Sequence, residues 1–298
     1  MVDYRELLPP RHIVSVGGGI ASTLLLPLEV IKRYGAENVQ LVMAALTDDE
    51  PSARQLVEAV EKLTGLRIRR VTPETPTGGR VIDVPPGKWA LWGIWDVFNA
   101  TGRMGSALAD PCSRILKRET LKTWMLNNAL KGYHVLHVGI TAGEIDRMLA
   151  IRANWRGIGY QVEAPLADDE TLTRETAIER CKALLGFVPE LYQRGNSHNN
   201  CAGFCVKAGH AEMARLLYYD RPRYLSHEAA ELAHQQQHGH TSTIMRDRRT
   251  VDGKTETTPL TLQAFRLRME AQWAGRLPGF DPFDGLDSMP ACKFCSAT

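Results

Sequence analysis

The chain predicts an α/β fold, a doubly wound and mostly parallel sheet followed by a helical, cysteine-bearing C-terminal region. Short apolar runs alternate with amphipathic stretches through the first half. The first run opens into Gly17-Gly18-Gly19. Past Leu166 the strand signals thin and helical spacing takes over. Strand–helix alternation implies parallel pairing, because the crossover helix returns the chain to the same end of the sheet.

Residues 13–16 read as a buried strand and 22–34 as a helix, stopped by Gly35. Residues 39–46 form a second strand. The helix at 51–64 opens with Pro51 and closes at Gly65, with Leu56, Val57, Val60 and Leu63 at helical spacing. Residues 66–71 are a third strand and 81–86 a short one. A helix over 117–128 leads to a strand over 135–140. Helices at 172–185, 208–218, 227–237 and 260–273 fill the second half, with 250–258 a polar, loop-like excursion. The expected division is 1–165 for the sheet domain and 166–298 for the C-terminal region.

With 298 residues there is ample chain for a sizeable core. The 36 basic and 34 acidic side chains nearly cancel, so bulk charge does not mark a polyanion binder. No apolar run reaches the ~18–20 residues of a membrane span. The first residues lack a signal-peptide pattern, so the expected location is the cytoplasm. Six cysteines in such a protein suggest metal or sulfur chemistry more than a disulfide framework. Cys201/Cys205 and Cys292/Cys295 are two short-spaced pairs that together supply four thiolates for an iron–sulfur cluster or zinc, with Cys112 a further candidate. Cys181 reads as core packing.

Three segments follow predicted strands and so converge on one rim of the sheet, where ligands of such folds sit. In the first, residues 17–23, a turn without side chains presents backbone N–H groups to an anionic oxygen, backed by the Ser22 and Thr23 hydroxyls. The second carries Thr47 and Asp48, either as ligand groups or as caps of the helix at Pro51. The third carries Gly139, Glu144 and Arg147, the last two as an anion contact or a mutual salt bridge. Cys112, Arg114 and Lys117 add a thiol and two cations, and Lys117 is the candidate phosphate contact. Residues 196–210 hold two thiols in a polar loop before a helix, a setting that suits ligation or a sulfur nucleophile. His234 and His238, one turn apart, read as a solvated helix end more than as zinc ligands. Trp89, Trp92 and Trp95 read as buried core.

In order and spacing these motifs resemble the PP-loop ATP pyrophosphatases (adenine nucleotide alpha hydrolase-like proteins), in the phosphoadenosine-phosphosulfate reductase-like branch of phage and DNA-modification type. The resemblance covers roughly residues 10 to 210. The family loop SGGxDS reads here with Gly17 at the first Ser, Gly18 and Gly19 at the glycines, Ala21 at the Asp and Ser22 at the last Ser. It implies an ATP site at Ser15, Gly17, Gly18, Gly19, Ser22, Thr23, Thr47, Arg114, Gly139, Glu144 and Arg147, with Lys117 and Asp48 catalytic. It also implies Mg²⁺ and a 4Fe-4S cluster, zinc being the alternative, on Cys201, Cys205, Cys292 and Cys295. The implied activity is adenylation with sulfur transfer to a nucleotide or nucleic acid. Partners would be a nucleotide substrate, a nucleic acid or sulfur-donor protein, and a second copy in a homodimer, with no membrane. Two alternatives stand beside it. One is sulfonucleotide reduction, although the terminal ECG-type nucleophile motif is missing from 290–298. The other is a non-catalytic nucleotide- or nucleic-acid-binding protein, to which the Ala21 departure points.

Overall fold

A computed structural model describes residues 9–239, 241–251, 254–276 and 279–286. Six strands form the central sheet: β1 (His12–Val16), β2 (Val39–Ala44), β3 (Ile68–Thr75), β4 (Gly78–Asp83), β5 (Val135–His137) and β6 (Gln161–Glu163). Their order is β4-β3-β2-β1-β5-β6. Every neighbouring pair is parallel except β3–β4, a hairpin. The sheet grows from β1 in both directions, so the strand order reverses between β1 and β5 and leaves a crevice at their carboxyl ends.

The sheet is covered on both faces. On one, Val14, Val16, Leu41 and Met43 pack under α1 (Leu26–Tyr34) and α2 (Glu50–Thr64), where Leu56, Val57 and Val60 carry the predicted apolar stripe, while Leu63, read with them, is exposed in the last turn. On the other, Ile13, Val42 and Val71 meet α5 (Thr120–Asn128) and α6 (Ile145–Arg156) through Leu121, Trp124, Met148 and Ile151. The alternation of Ile13 and Val14 between these cores is the period-2 geometry of a strand buried on both sides.

In chain order, α3 (Ile94–Thr101) and the single turn α4 (Pro111–Ser113) come between β4 and β5. After β6 come α7 (Arg174–Leu185), the short α8 (Glu190–Gln193), α9 (His210–Tyr219), α10 (Arg221–His238) and α11 (Leu262–Trp273). The second half is not wholly helical. Residues expected as a polar loop belong to an antiparallel hairpin, β7 (Met245–Val251) and β8 (Lys254–Leu260). Apart from the paired apolar ends Met245 and Leu260, its strands are mostly charged residues and threonines with no regular apolar alternation, so the usual strand signal is missing from the sequence. Buried Glu231 anchors the hairpin, accepting from the N–H of Ile244 at 3.1 Å and of Leu262 at 2.7 Å.

Packing crosses the expected boundary at 165. Leu166, Leu172, Ala177 and Cys181 complete the core over β1 and β2, with the Cys181 thiol pushed up to about 11 by burial. Phe204, Met213, Leu217 and Phe265 share a core with Leu46, Phe98 and Cys112. Trp89 joins the core as expected, and Trp92 and Trp95 pack at the margin of the second one. No helix among the described residues is long and apolar enough to cross a membrane.

Candidate functional site

The glycine turn leaves β1 at the strand-order reversal. Gly18 adopts φ +89°, which L side chains rarely take. Its N–H donates to the Thr23 hydroxyl at 2.9 Å, so the fully buried Thr23 fixes the turn from behind. Ser22 stays half-buried, its hydroxyl 3.4 Å from the Gly19 carbonyl oxygen. From the next strand Gly139 lies flush against this turn: a Cβ there would stand 2.8 Å from Ser22 Cβ and 2.9 Å from Ser22 Cα. The structure thus brings Gly17, Gly18, Gly19, Ser22, Thr23 and Gly139 together, with Ser15 buried in the strand two residues before. The helix opens with a π-type turn, Ala21–Leu25. A second π-type turn, Arg114–Glu119, follows Cys112. Such bulges recur where a helix is bent to serve a site.

The acidic turn splits its two aspartates between two neighbours. Asp48 Oδ2 accepts from the Ile94 N–H at 2.7 Å, capping α3, while the Thr47 N–H donates to the Trp92 carbonyl at 3.0 Å. Gly93 permits this approach, since a Cβ there would lie 2.6 Å from Asp48 Oδ2. Burial raises the Asp48 carboxyl to about 6, and the neighbouring Asp49 adds to the rise. Asp49 points inward and is 1 % exposed. One of its oxygens accepts from the Cys201 N–H at 2.6 Å, and the other lies 3.1 Å from Lys117 Nζ. Lys117 is buried with it, so its charge is placed at the cysteine loop.

The cysteine loop is tied into the sheet domain at several points. Asn199, fully buried, donates to the Gly18 carbonyl at 3.0 Å and to the Ser52 carbonyl at 2.7 Å. The Ser52 hydroxyl returns a bond to the Asn199 carbonyl at 3.0 Å. Glu212 at the start of α9 accepts from the Asn196 amide at 2.5 Å and the Ser197 N–H at 3.0 Å. Cys201 and Ala202 take φ of 51° and 46°, a left-handed turn that only a strongly determined loop holds with non-glycine residues. Cys112, Cys201 and Cys205 line one small enclosed cavity with Lys117, Asp110 and Lys207. Cys112 thus shares the lining of one small cavity with the 201–205 pair, beside the buried Lys117 ammonium. Among the described residues no three His, Cys, Asp or Glu side chains form a ready metal-holding group. Cys292 and Cys295 lie outside the described residues.

Other expected contacts are engaged elsewhere. Arg114 is exposed and pairs with Glu119 at 2.7 Å. It lines a separate cleft of about 460 Å³ with Arg118, Lys122 and Lys207. Arg147 pairs with Glu144 at 2.6 Å. His234 Nδ1 lies 3.0 Å from Asn99 Oδ1 in the interior.

Sequence reasoning missed Asp49, Asn199 and Tyr192 as site residues. Asp49 was overshadowed by Asp48, and only the direction of a single-turn helix separates them. Asn199 stood inside a segment already marked by its thiols. Tyr192 carried no motif. Comparison with protein-family models, curated proteins and solved structures finds no match to the chain.

Proposed function

We propose that the chain is a nucleotide-binding enzyme of the PP-loop, ATP-pyrophosphatase or adenylating type, coupling ATP to sulfur transfer onto a nucleotide or nucleic acid. The observation that carries this reading is the pair of hydrogen bonds donated by the Asn199 amide, one to the Gly18 carbonyl and one to that of Ser52, which ties the thiol-bearing loop to the glycine turn at the strand-order reversal. Two chemistries expected of one enzyme thereby share one structural junction.

In this reading the glycine turn at 17–23 would hold the triphosphate through those backbone N–H groups not already bonded within the turn, and Mg²⁺ would supply counter-charge to the phosphates. Attack of an acceptor oxygen or nitrogen on the α-phosphorus forms the adenylate, and the α–β bridging bond breaks with its electron pair to release pyrophosphate. Lys117, held by Asp49, acts on the thiol side, where a cation favours thiolate. The donor class of Cys112, Cys201 and Cys205 fits an iron–sulfur cluster or zinc, with a fourth thiolate from Cys292 or Cys295. When bound, a 4Fe-4S cluster would supply a site for sulfur binding or electron relay.

The shared cavity favours sulfonucleotide reduction as a second reading, because it adds Cys112 to the ligand set. Sulfite formation from an adenosine phosphosulfate and a thiol reductant would select it. For the first reading the test is calorimetric titration of ATP–Mg²⁺ into the wild type and Gly18→Val. Micromolar binding abolished by the substitution, in a protein that still unfolds cooperatively, supports the cradle, and equal affinity rejects it.

A further inference from the structure

The glycine turn is overhung by a tyrosine from the C-terminal region. Ile20, at the start of the first helix, donates its N–H to the Tyr192 hydroxyl at 3.3 Å. A Cβ on Gly19 would stand 3.2 Å from that same oxygen. The phenol therefore reaches the turn at the backbone groups that would meet a phosphate, where a side chain at residue 19 would crowd it. Tyr192 belongs to α8, which starts after Pro189 and packs its ring against the core beneath α1. The Arg174 guanidinium sits 5.9 Å from the ring centroid and is itself held by the Asn196 carbonyl at 2.7 Å. The ring is thus fixed at its face as well as at its tip.

A hydroxyl that accepts from a backbone amide still has its own proton to give. The Asn199 N–H is a second backbone donor to the same oxygen, and among the described residues none of the hydrogen-bond partners of the Tyr192 hydroxyl is an acceptor. Burial raises the phenol above its ordinary range, so it stays protonated at neutral pH. Within the turn the Gly18 and Thr23 N–H groups are already bonded to the Thr23 hydroxyl and the Gly19 carbonyl, so the donor left over here is the phenol O–H, with Arg174 adding positive potential nearby. An anionic oxygen would complete it.

We propose that Tyr192 is a phosphate-positioning residue, donating its hydroxyl proton to an oxygen of the bound nucleotide's phosphate chain. This rests on the nucleotide reading of the glycine turn. It adds a consequence that the turn alone does not have. Tyr192 lies seven residues before Asn199, and Asn199 holds the Gly18 carbonyl, so the segment that recognises phosphate is the one that carries Cys201 and Cys205. Nucleotide occupancy and the order of the cysteine loop become linked quantities.

The test is Tyr192→Phe, which keeps the ring, its packing and its contact with Arg174. Calorimetry with ATP–Mg²⁺, inorganic pyrophosphate and adenosine separates the contributions. Losing one hydrogen bond to a charged oxygen weakens ATP and pyrophosphate about tenfold, and adenosine less than about twofold. Hydrogen exchange over residues 196–205, slowed by ATP in the wild type, loses that protection in the variant at ATP concentrations that saturate both proteins. Unchanged ATP affinity overturns the proposal. So does tighter binding, which would make the hydroxyl a competitor of the phosphate. A wild type that binds neither ATP nor pyrophosphate rejects the nucleotide reading itself, and wild-type binding with an unaltered variant rejects only the role of Tyr192.

Discussion

Lys117 Nζ lies 3.1 Å from Asp49 Oδ2, with both side chains almost entirely removed from water. The pair sits between the acidic turn after β2 and the loop that carries Cys201, whose N–H takes the other Asp49 oxygen. A buried ion pair is costly to assemble and costlier to break, because removing one partner leaves the other charge without compensation.

Asp49→Asn should therefore destabilise the fold by about 3–5 kcal/mol, and Asp49→Asn with Lys117→Met by clearly less than the sum of the two single changes. Urea unfolding of the three variants measures this. Additive losses would mean that the two charges do not depend on each other.

Gly139→Ala places a methyl group against the backbone of Ser22. Because the obstructing atoms are main chain at the head of a helix, the turn must move. The variant should lose at least about tenfold in ATP affinity and about 1–3 kcal/mol in stability. Wild-type affinity in that variant would show that the second strand end does not shape the cradle.

The position of the glycine turn was legible in the sequence because its cause is local: a strand, three glycines and an apolar helix in succession. Strand–helix alternation likewise carried the parallel sheet, and Gly35 and Gly65 ended their helices as read. What escaped depended on contacts distant in sequence. Asp48 and Asp49 are chemically alike, and only the inward direction of one gives it Lys117 and Cys201. Arg147 and Glu144, read as either ligands or partners, form a salt bridge. The β7–β8 hairpin is held through the remote carboxylate of Glu231, which no strand periodicity could announce.

Acid should unfold the protein through its buried histidines. Burial lowers His137 and His227 to about 3, from an unfolded value near 6.5. Both are neutral in the native state, while the unfolded chain takes up protons below about pH 6.5. Each therefore costs on the order of 1 kcal/mol per pH unit as pH falls from about 6.5 towards 3, and stability recovers on raising the pH. Asp48 works in the opposite sense between about pH 4 and 6, where its raised carboxyl keeps a proton that the unfolded chain has lost. Denaturant midpoints against pH for the wild type and His137→Gln measure the histidine contribution. A profile unchanged by the substitution would remove His137 from it.

Metal content should follow the cavity more closely than the sequence pairs. In protein purified without oxygen, Cys112→Ser, Cys201→Ser and Cys205→Ser should each lose most bound iron or zinc, while Cys181→Ser keeps it. Elemental analysis with an absorption spectrum reads both metals. Full retention in Cys112→Ser would exclude that thiol from the ligand set.

The most direct measurement is product analysis after incubating the anaerobically purified protein with ATP and Mg²⁺, alone and with thiolatable nucleotides or nucleic acid. Cleavage between the α- and β-phosphates predicts pyrophosphate in equal amount to AMP or an adenylated acceptor, lost in Gly18→Val. Release of ADP with inorganic phosphate, or no turnover of ATP under any of these conditions, would contradict it.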